Sequence, residues 1–470
     1  MRIYFLGIGG TLMGSLALLA KQQGHQVSGS DQHVYPPMSD LLAADGITIH
    51  EGFDPAQLQP PPDLVVIGNA GLPRGADSVE HILNRGLRYV SGAEWLGTNL
   101  LRERWVLAVS GTHGKTTTTS MLAWILNCAG FDPGYLIGGA PKNFERSAHL
   151  GQAPYFVVEA DEYDTSYFDR RSKFLHYQPR TLIINNLEHD HADIFKDVDA
   201  IKTQFHQLLR MVPGDGLVIA PTDDGNVNSL LRKGCWTPVA RIGATAPSRA
   251  QAMDNGERWS AINANADGSN ANADGSAFDV ALNRQTLGRV SWSMFGLHNA
   301  SNALGAIAAA RHAGVAPELA IEALADFSGV KRRLEVIAQV GKTTLYDDFA
   351  HHPTAIRKTL QSLRSRVGAE EILAIIEPRT HTMSLGTLRD ALANCCAAAD
   401  QAFWFRSANI EWDVAALTTK CVVPAQHFSD LPHLIKQVRE LPKQRRHVVI
   451  MSNGDFGNIY EKLPAALRGS

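Results

Sequence analysis

The stretch "AVSGTHGKTTTTSM", residues 108–121, is the most informative part of this 470-residue chain. In it, an apolar strand runs into a short glycine loop, and the loop runs into a threonine-rich helix. Such a unit presents backbone N–H groups and a helix N-terminus to an anion. The usual nucleotide loop has the pattern G-x-x-x-x-G-K-[ST], and here Val109 stands where its first glycine is expected. The stretch therefore predicts a shortened phosphate-binding loop in an α/β domain.

Lys115 and Thr116 give this loop its chemistry. The lysine ammonium supplies a point charge to the β- and γ-phosphates of a nucleotide, and the threonine hydroxyl can ligate Mg²⁺. A glycine turn with a chance lysine is the alternative, which the flanking strand and helix disfavour. The predicted ATP-binding residues of the loop are Gly111, Thr112, His113, Gly114, Lys115, Thr116 and Thr117.

Acidic and histidine side chains follow two further predicted strands. "VVEADEYD" places Glu159 at the end of one strand, and "NNLEHDHAD" follows the other with His189, Asp190, His191 and Asp193. Mg²⁺ beside phosphates needs carboxylate ligands, and α/β sheets bind ligands at the carboxyl ends of their strands. We therefore expect a metal–ATP site here. A transition-metal site and simple surface polarity are the alternatives.

A second glycine turn lies near the N-terminus. "GIGGTLMG" joins a strand to a helix, and Asp31 ends the next strand. The pattern is similar to the G-x-G-x-x-G dinucleotide fingerprint, so an NAD-dependent oxidoreductase must be considered. Its spacing departs from that fingerprint, because the third and fourth positions hold glycine and the sixth does not. Hydride transfer would also have no use for an ATP loop. The turn therefore predicts only a second phosphate-bearing ligand.

The bulk composition excludes several classes of protein. With 44 Lys and Arg against 47 Asp and Glu, the net charge is −3, which gives no electrostatic footprint for nucleic acid or an anionic membrane. The five cysteines contain no C-x-x-C pair, which is typical of a reduced cytosolic protein. No apolar run reaches the length of about 18 residues that spans a membrane. We expect a cytoplasmic protein without nucleic-acid or membrane partners.

Strand-like and helical stretches alternate along the chain, which predicts α/β domains in series. The strands expected in the first hundred residues are "RIYFL", "QVSGSD" and "DLVVIG". "NANADGSNANADGS", residues 263–276, is a tandem repeat poor in apolar residues, so we expect a mobile surface loop. The strand-like "RWSAI" and "AFDVAL" on either side predict a hairpin. We assign the repeat no function.

Six stretches occur in order along nearly the whole chain: "GIGGTLMG…GSD", "GTHGKTTTT", "EADEYD", "NNLEHDHAD", "FGLHNASNA" and "DDFAHHP". In this combination the chain resembles the Mur ligases, which build peptidoglycan peptides. The resemblance implies a Rossmann-like UDP-sugar-binding domain at 1–104 and a P-loop ATPase-type domain at 105–328, which carries the repeat hairpin as an insertion. It also implies a Rossmann-like domain at 329–470 that binds the incoming peptide and completes the ATP site.

The resemblance also indicates a reaction. "EADEYDTSYFDRRSKFLHY", "EPRTHTMSLG" and "MSNGDFG" are more similar to the murein-recycling branch of the family than to its alanine-adding branch. The recycling branch joins UDP-N-acetylmuramate to the murein tripeptide L-alanyl-γ-D-glutamyl-meso-diaminopimelate, with ATP and Mg²⁺. The alternatives are the alanine-adding ligase of peptidoglycan biosynthesis and a non-catalytic sensor of UDP-sugar and ATP. We expect a monomer or a weak homo-oligomer.

The resemblance implies roles for individual residues. The implied catalytic residues are Lys115, His191 and Arg333, with Arg333 aimed at the γ-phosphate. The implied metal ligands are Thr116, Glu159 and His191. The implied adenosine contacts are His298, Asn302 and Asp348. The implied substrate-binding residues are Gly7, Gly9, Gly10, Thr11, Asp31, His351, His352 and Arg379.

Two of these stretches also have a purely structural interpretation. "GLHNASN" predicts a helix N-terminus capped by asparagine, and "HHP" predicts a helix that starts at Pro353. Several family members carry a carbamylated lysine after the metal histidine, but Phe205 and His206 stand at that spacing here, so we expect none. We also expect the third domain to close over the ATP site about a hinge near Ser328–Lys331.

Overall fold

The structure is a computed structural model that describes residues 1–35, 38–69, 72–243, 256–264, 274–379, 381–384, 386, 388–408, 410, 412–442 and 444–469. Three β-sheets follow one another along the chain, each with helices packed on it. Within the described residues, no helix combines the length and the apolar character needed to cross a membrane.

The first sheet is parallel throughout. Its elements are β1 (Arg2–Leu6), α1 (Thr11–Gln22), β2 (Gln26–Asp31), α2 (Met38–Ala44), β3 (Thr48–Glu51), β4 (Leu64–Ile67), α3 (Asp77–Asn84), β5 (Tyr89–Ser91) and α4 (Gly92–Leu96). The strand order β3-β2-β1-β4-β5 reverses beside β1, so the loop that follows β1 lies where such sheets bind ligands. The three predicted strands are confirmed, and the short strands β3 and β5 were missed.

The central sheet has ten strands. Its elements are β6 (Trp105–Ser110), α5 (Lys115–Cys128), β7 (Gly134–Leu136), β8 (Ala148–His149), β9 (Tyr155–Glu159), β10 (Thr181–Ile184), α6 (Val198–Leu209), β11 (Leu217–Pro221), α7 (Gly225–Lys233), β12 (Val239–Gly243), β13 (Arg258–Ile262), β14 (Ala277–Leu282), β15 (Gln285–Ser291), α8 (Leu297–His312) and α9 (Pro317–Ala325). The order is β15-β14-β13-β12-β11-β10-β6-β9-β7-β8. The sheet is mixed, because β8, β14 and β15 run antiparallel to their neighbours.

The predicted hairpin on either side of the tandem repeat is confirmed. Ser260 of β13 pairs with Ala281 of β14 in an antiparallel register. Residues 265–273 of the repeat lie outside the described residues, so the mobility expected of them stays a prediction. The prediction of a surface loop is wrong for the two ends of the repeat, because Ala264 and Asp274 are buried.

The third sheet has six strands. Its elements are β16 (Glu335–Val340), β17 (Thr343–Asp348), α10 (Pro353–Val367), β18 (Glu371–Ile376), α11 (His381–Ser384), α12 (Arg389–Cys395), β19 (Gln401–Phe405), α13 (Val414–Thr418), β20 (Ala425–Phe428), α14 (Leu431–Glu440), β21 (Arg446–Met451) and α15 (Ile459–Arg468). In the order β16-β17-β21-β18-β19-β20, only β16 is antiparallel to its neighbour. The prediction of three α/β domains in series is confirmed.

The hydrophobic cores divide the molecule unequally. Trp95 of α4 belongs to one apolar cluster that also contains Phe156 of β9 and Phe174 in the central domain. Gly97, just after α4, has no room for a side chain because the carbonyl of His176 lies against it. The third domain has two apolar clusters of its own. The first two domains are therefore joined by a continuous core, and the third is held to them mainly by other contacts.

Candidate active site

The short glycine loop between β6 and α5 has a backbone that only glycine adopts easily. Gly111 has φ = +123° and Gly114 has φ = +80°. A Cβ atom at Gly111 would lie 2.9 Å from the carbonyl oxygen of Asn186, and one at Gly114 would lie 2.7 Å from Oδ1 of Asn302. The loop thus packs tightly against the end of β10 on one side and against α8 on the other.

Two asparagines after β10 fix the shape of this loop. The backbone N–H of His113 donates to Oδ1 of Asn186 at 2.8 Å, and Nδ2 of Asn186 donates back to the carbonyl of His113 at 3.0 Å. Asn185 donates to the hydroxyl of Thr118 at 3.0 Å. Sequence reasoning missed both asparagines, although "NN" stands directly before the predicted metal residues. Side chains that follow β10 therefore help to hold the phosphate loop in shape.

Lys115 lies among three carboxylates. Its Nζ is 2.9 Å from Oε2 of Glu162 and 3.6 Å from Oδ1 of Asp161. Burial opposes the lysine charge, but the nearby carboxylates of Glu162, Asp161 and Glu159 outweigh it and raise the pKa of Lys115. Lys115 is therefore a fixed positive charge at the N-terminus of α5, where a phosphate is favoured.

Glu162 connects Lys115 to His191. Its second oxygen, Oε1, lies 3.4 Å from Nε2 of His191, so one buried carboxylate serves both side chains. Burial alone would raise the pKa of Glu162, yet Lys115 and His191 lower it to about 2. Sequence reasoning overlooked Glu162, because only the spatial position of its side chain reveals the bridge.

The three predicted metal ligands lie on neighbouring elements of the central domain. The Thr116 hydroxyl donates to Oε1 of Glu159 at 2.9 Å, and the Gly138 N–H donates to Oε2 of Glu159 at 2.8 Å. Burial, followed by repulsion from Asp161, raises the pKa of Glu159. His191 has φ = +53°, and its ring contacts Glu162, the carboxylate that also pairs with Lys115. The arrangement has an excess of oxygen anions, which suits a hard cation such as Mg²⁺.

A cavity of 340 Å³ opens beside the loop between the central and third domains. It brings together most of the predicted ATP residues. Its lining includes His113, Gly114, Thr117, His298, Asn302, Arg333 and Asp348. These residues are far apart in sequence, and only the docking of the two domains assembles them around one space.

The adjacent arginines 332 and 333 have different surroundings. Arg332 donates to the carbonyls of Ser452 and Gly454 and pairs with Asp347 at 3.1 Å, so it holds the third domain together. The guanidinium of Arg333 stacks on the ring of Phe349 and lines the cavity. Across the described parts of the chain, no hydrogen bond or ion pair engages it. Arg333 is therefore free to bind an anion in the cavity.

Asn302 and His298 are two of the three predicted adenosine contacts. Asn302 lies within α8 and faces the glycine loop. Burial, with help from Lys358 and Arg333, lowers the pKa of His298 to about 4, so the ring is neutral at neutral pH. Both residues line the cavity. Their contacts with adenine stay predictions.

Asp348 also lines the cavity, but its carboxylate is already bound by the chain. It accepts hydrogen bonds from the N–H groups of Leu334 and Ala350, both at 2.8 Å, and from the hydroxyl of Thr359 at 3.2 Å. In this structure Asp348 therefore orders the turn after β17. Its predicted ribose contact is untested.

Both histidine-containing stretches start a helix, as their structural interpretation predicted. The asparagine cap in "GLHNASN" is wrong, because α8 begins at Leu297 after Gly296, and the side chain of Asn299 donates to the carbonyl of Phe295 within the first turn. The helix start in "HHP" is confirmed. His352 caps α10, and its Nδ1 accepts from the N–H of Thr354 at 3.3 Å.

The predicted substrate-binding residues fall into separate places. In the first domain, Gly7 has φ = +89°, the N–H of Gly9 donates to Oδ2 of Asp31 at 2.8 Å, and Gly10 precedes α1, whose first residue is Thr11. His351 and His352 lie at the seam between the central and third domains. Arg379 pairs with Asp455 at 2.9 Å on the third domain and does not line the described cavity.

The expectation that the chain has no carbamylated lysine stays a prediction. Lys202 is paired with Asp199 at 3.3 Å on that helix. Lys173, which sequence reasoning did not single out, is buried, and its Nζ lies 3.9 Å from the ring centroid of Tyr163. Burial lowers the pKa of Lys173.

Comparison with protein families gives three matches in chain order. Residues 2–104 match the model described as "Mur ligase family, catalytic domain". Residues 109–310 match "Mur ligase middle domain", and residues 332–454 match "Mur ligase, glutamate ligase domain". Together the matches cover most of the chain.

Individual relatives are similar over nearly the same length. The chain is 49% identical over 464 residues to the UDP-N-acetylmuramate–L-alanyl-γ-D-glutamyl-meso-2,6-diaminoheptandioate ligase of Escherichia coli, covering 98% of this chain and 97% of that protein. A murein peptide ligase structure from Psychrobacter arcticus is 44% identical with a TM-score of 0.75, covering 100% of this chain and 99% of that one. The UDP-N-acetylmuramate–L-alanine ligase of Salinibacter ruber is 33% identical, covering 81% of this chain and 75% of that protein.

Proposed function

Because the chain belongs to the Mur ligase family, we propose that it is an ATP-dependent amide ligase of murein recycling, which joins UDP-N-acetylmuramate to L-alanyl-γ-D-glutamyl-meso-diaminopimelate. One observation carries the proposal. His113 and Gly114 of the glycine loop, which leads into Lys115, line one cavity with Arg333 of the third domain. The substrate choice is supported by the higher identity to the Escherichia coli tripeptide-adding ligase, at 49%, than to the Salinibacter ruber alanine ligase, at 33%.

The proposed reaction explains why the protein would need ATP. A carboxylate is a poor electrophile, and an amine cannot displace oxide from it in water. Transfer of the γ-phosphoryl group to the lactyl carboxylate of UDP-N-acetylmuramate forms an acyl phosphate and ADP. The α-amine of the tripeptide then attacks the carbonyl carbon, a tetrahedral intermediate forms, and inorganic phosphate leaves as the amide is made.

Lys115 and Arg333 would stabilise the charge that develops during phosphoryl transfer. Lys115 is held by Glu162 at 2.9 Å, so its ammonium is positioned before the nucleotide binds. Arg333 approaches from the third domain and is not committed to another described group. Charges that are fixed in place before the reaction stabilise a transition state without reorganisation. Both roles are proposals, and they assign one phosphate contact to each side of the cavity.

Glu159, Thr116 and His191 would hold Mg²⁺, with the carboxylate of Asp161 beside them. The bound cation would neutralise phosphate charge next to the loop. The oxygen donors of Glu159 and Thr116 suit a hard cation, whereas the His191 imidazole is an unusual ligand for it. Before the metal binds, Glu162 keeps His191 in place.

The UDP diphosphate is assigned to the first domain. The turn at Gly7, Gly9 and Gly10 brings backbone close to the N-terminus of α1, which is a favourable place for phosphate. Asp31 accepts from the Gly9 N–H and thereby shapes the turn. We keep 1–104, 105–328 and 329–470 as the proposed domain limits, and propose a cytoplasmic monomer or weak homo-oligomer without nucleic-acid or membrane partners.

The experiment that tests the substrate choice is phosphate release with UDP-N-acetylmuramate and ATP. The acceptor is either L-alanine or the tripeptide, at equal concentrations. We expect release to depend on the tripeptide and to produce the ligated UDP-sugar peptide by mass spectrometry. Faster turnover with L-alanine would instead support the biosynthetic reaction.

A further inference from the structure

Three metal-binding side chains meet at the seam between the central and third domains. Nε2 of His113 lies 3.2 Å from Oε2 of Glu188, and Nδ1 of His352 lies 3.4 Å from the same oxygen. All three ligand atoms lie within 4.8 Å of one another. Glu188 follows β10 and has no role in the proposed ligase chemistry. None of these atoms belongs to the proposed Mg²⁺ site at Glu159 and His191.

The hydrogen bonds of His352 define which of its nitrogens carries the proton. Nε2 lies 3.3 Å from the carbonyl oxygen of His189, and a carbonyl can only accept, so Nε2 is the protonated nitrogen. Nδ1 accepts from the N–H of Thr354 over a long distance of 3.3 Å. Nδ1 has a single lone pair, so a metal bound there would replace this long hydrogen bond.

The two histidines approach the same carboxylate oxygen. Oε2 of Glu188 lies 3.2 Å from Nε2 of His113 and 3.4 Å from Nδ1 of His352. The ring centroids of His113 and His352 are 4.8 Å apart, so the three side chains meet at one point of the seam.

We propose that His113, Glu188 and His352 form a binding site for a divalent transition metal of the Zn²⁺ type. Zinc bonds to nitrogen and oxygen of about 2.0–2.1 Å place tetrahedral ligands about 3.3–3.4 Å apart, which agrees with the two measured separations. Two imidazoles and one carboxylate, with a fourth position open to water, are a common zinc ligand set. The carbonyl of His189 orients His352 as outer partners of metal-bound histidines do.

The proposed ligands come from two domains, so a bound metal would affect how these domains dock. His113 and Glu188 belong to the central domain, whereas His352 caps α10 of the third domain. The complete ligand set exists only while the two domains are docked. A bound metal therefore favours the docked arrangement, because it binds that state more tightly than an open one.

Cobalt spectroscopy on the metal-free, full-length protein tests the site. Titration with Co²⁺ is expected to give the visible absorption of one tetrahedral Co²⁺ per chain, which Zn²⁺ displaces and Mg²⁺ does not. Loss of outer-shell partners weakens metal sites by about 10–100-fold, so Glu188→Gln and His352→Ala, which remove ligands, should each weaken binding at least that much. His351→Ala is the matched control from the same turn, and His191→Ala isolates the proposed Mg²⁺ site. Both should keep the absorption.

Two results would overturn the proposal. One is a wild-type protein that shows no tetrahedral absorption at an equivalent of Co²⁺. The other is absorption that persists in the double variant Glu188→Gln, His352→Ala. Should the variants fail to fold, crystals of the wild-type protein soaked in Zn²⁺ decide the matter. An anomalous peak within bonding distance of His113, Glu188 and His352 supports the site, and its absence there refutes it.

Discussion

Asn186 compensates for the glycine that the phosphate loop lacks. In the usual G-x-x-x-x-G-K-[ST] loop, two more residues let the chain wrap the phosphates. Here the chain turns within Gly111–Gly114 and packs against the end of β10. Hydrogen bonds in both directions between Asn186 and His113 hold that turn, at 2.8 and 3.0 Å. The shortened loop is thus a two-part structure, built from β6–α5 and from the residues that follow β10.

Replacing Lys115 tests the separation of the two phosphate sites. Lys115→Ala should abolish ligation, since the loss of a preorganised charge at such a centre costs about 10²–10³ in rate. UDP-N-acetylmuramate affinity should change little, because its diphosphate is assigned to the first domain. Calorimetry with the UDP-sugar alone measures this directly. An equal loss of UDP-sugar affinity would argue against two sites.

His298 predicts a dependence of stability on pH. Its pKa is lowered to about 4 in the folded state, whereas an unfolded histidine titrates near about 6.5. The unfolded chain therefore binds more protons between these values, and the free energy of unfolding falls as the pH drops from about 6.5 towards 4. Thermal midpoints of the wild type and His298→Gln across this range should diverge, with the smaller decline in the variant. Parallel curves would show that His298 does not contribute.

The sequence identified functional residues at strand ends, but it did not reveal the side chains that connect them. Lys115 and Glu159 could be singled out because a loop pattern or a strand end marked them. Glu162 could not, since its link from Lys115 to His191 exists only after the turn behind β9 folds back. Arg332 and Arg333 are adjacent and identical in type, and only the fold separates the structural one from the free one.

The hairpin β13–β14 carries the tandem repeat between strands that the sequence predicted correctly. The end of the second copy is built into the fold: Oδ2 of Asp274 pairs with Arg366 of α10 at 3.1 Å, and Trp292 donates to the carbonyl of Gly275 at 2.9 Å. These contacts belong to the last residues of the seven-residue unit. Deletion of the first copy, 263–269, leaves an identical unit to supply them.

We therefore expect that deletion to have little effect on stability or activity. Loop-closure entropy changes by only about 0.6 kcal/mol for a doubling of length. The matched comparison is Asp274→Ala in the full-length chain, which removes the partner of Arg366 and should lower the melting temperature more. Differential scanning calorimetry measures both variants. A fall of several degrees, or a tenfold activity loss, for the deletion would show that the first copy is packed or functional.

Among the secondary-structure elements, apolar strands such as β6, β9 and β10 were predictable because their residues are buried on both faces. The four-residue β3 and the two-residue β8 were not, because they contain too few apolar residues to show a period. The cap of α8 was predicted wrongly for a different reason. The left-handed backbone of Gly296, with φ = +97°, starts the helix without a side-chain cap.

The third domain contacts the central domain through both polar and apolar groups. Thr382 donates to Asp190 at 3.1 Å and accepts from the N–H of Ala192 at 3.2 Å, and Phe295 packs against an apolar cluster of the third domain. The expected hinge at Ser328–Lys331 stays a prediction. That segment is hydrogen-bonded to the central domain, because the Lys142 N–H donates to the Gly329 carbonyl and the Lys331 N–H donates to the Ala140 carbonyl. The backbone then enters the left-handed region at Arg332 and Leu334, where the third domain begins.

Closure of the third domain can be measured in solution. Its cavity residues must reach phosphates that the central domain binds, and a closed site protects an acyl phosphate from water. Small-angle scattering should show a smaller radius of gyration with UDP-N-acetylmuramate and a nonhydrolysable ATP analogue. An unchanged radius would contradict closure unless the free protein is already docked. In that case Arg333→Ala should still lower turnover far more than UDP-sugar binding.

Oxygen transfer tests the central claim most directly. UDP-N-acetylmuramate labelled with ¹⁸O in both lactyl carboxylate oxygens is incubated with ATP, Mg²⁺ and the tripeptide, and the released phosphate is analysed by mass spectrometry. An acyl phosphate passes one carboxylate oxygen to phosphate, so we expect one ¹⁸O atom in each inorganic phosphate and one in the amide carbonyl. Unlabelled phosphate formed together with the amide would contradict carboxylate activation by ATP.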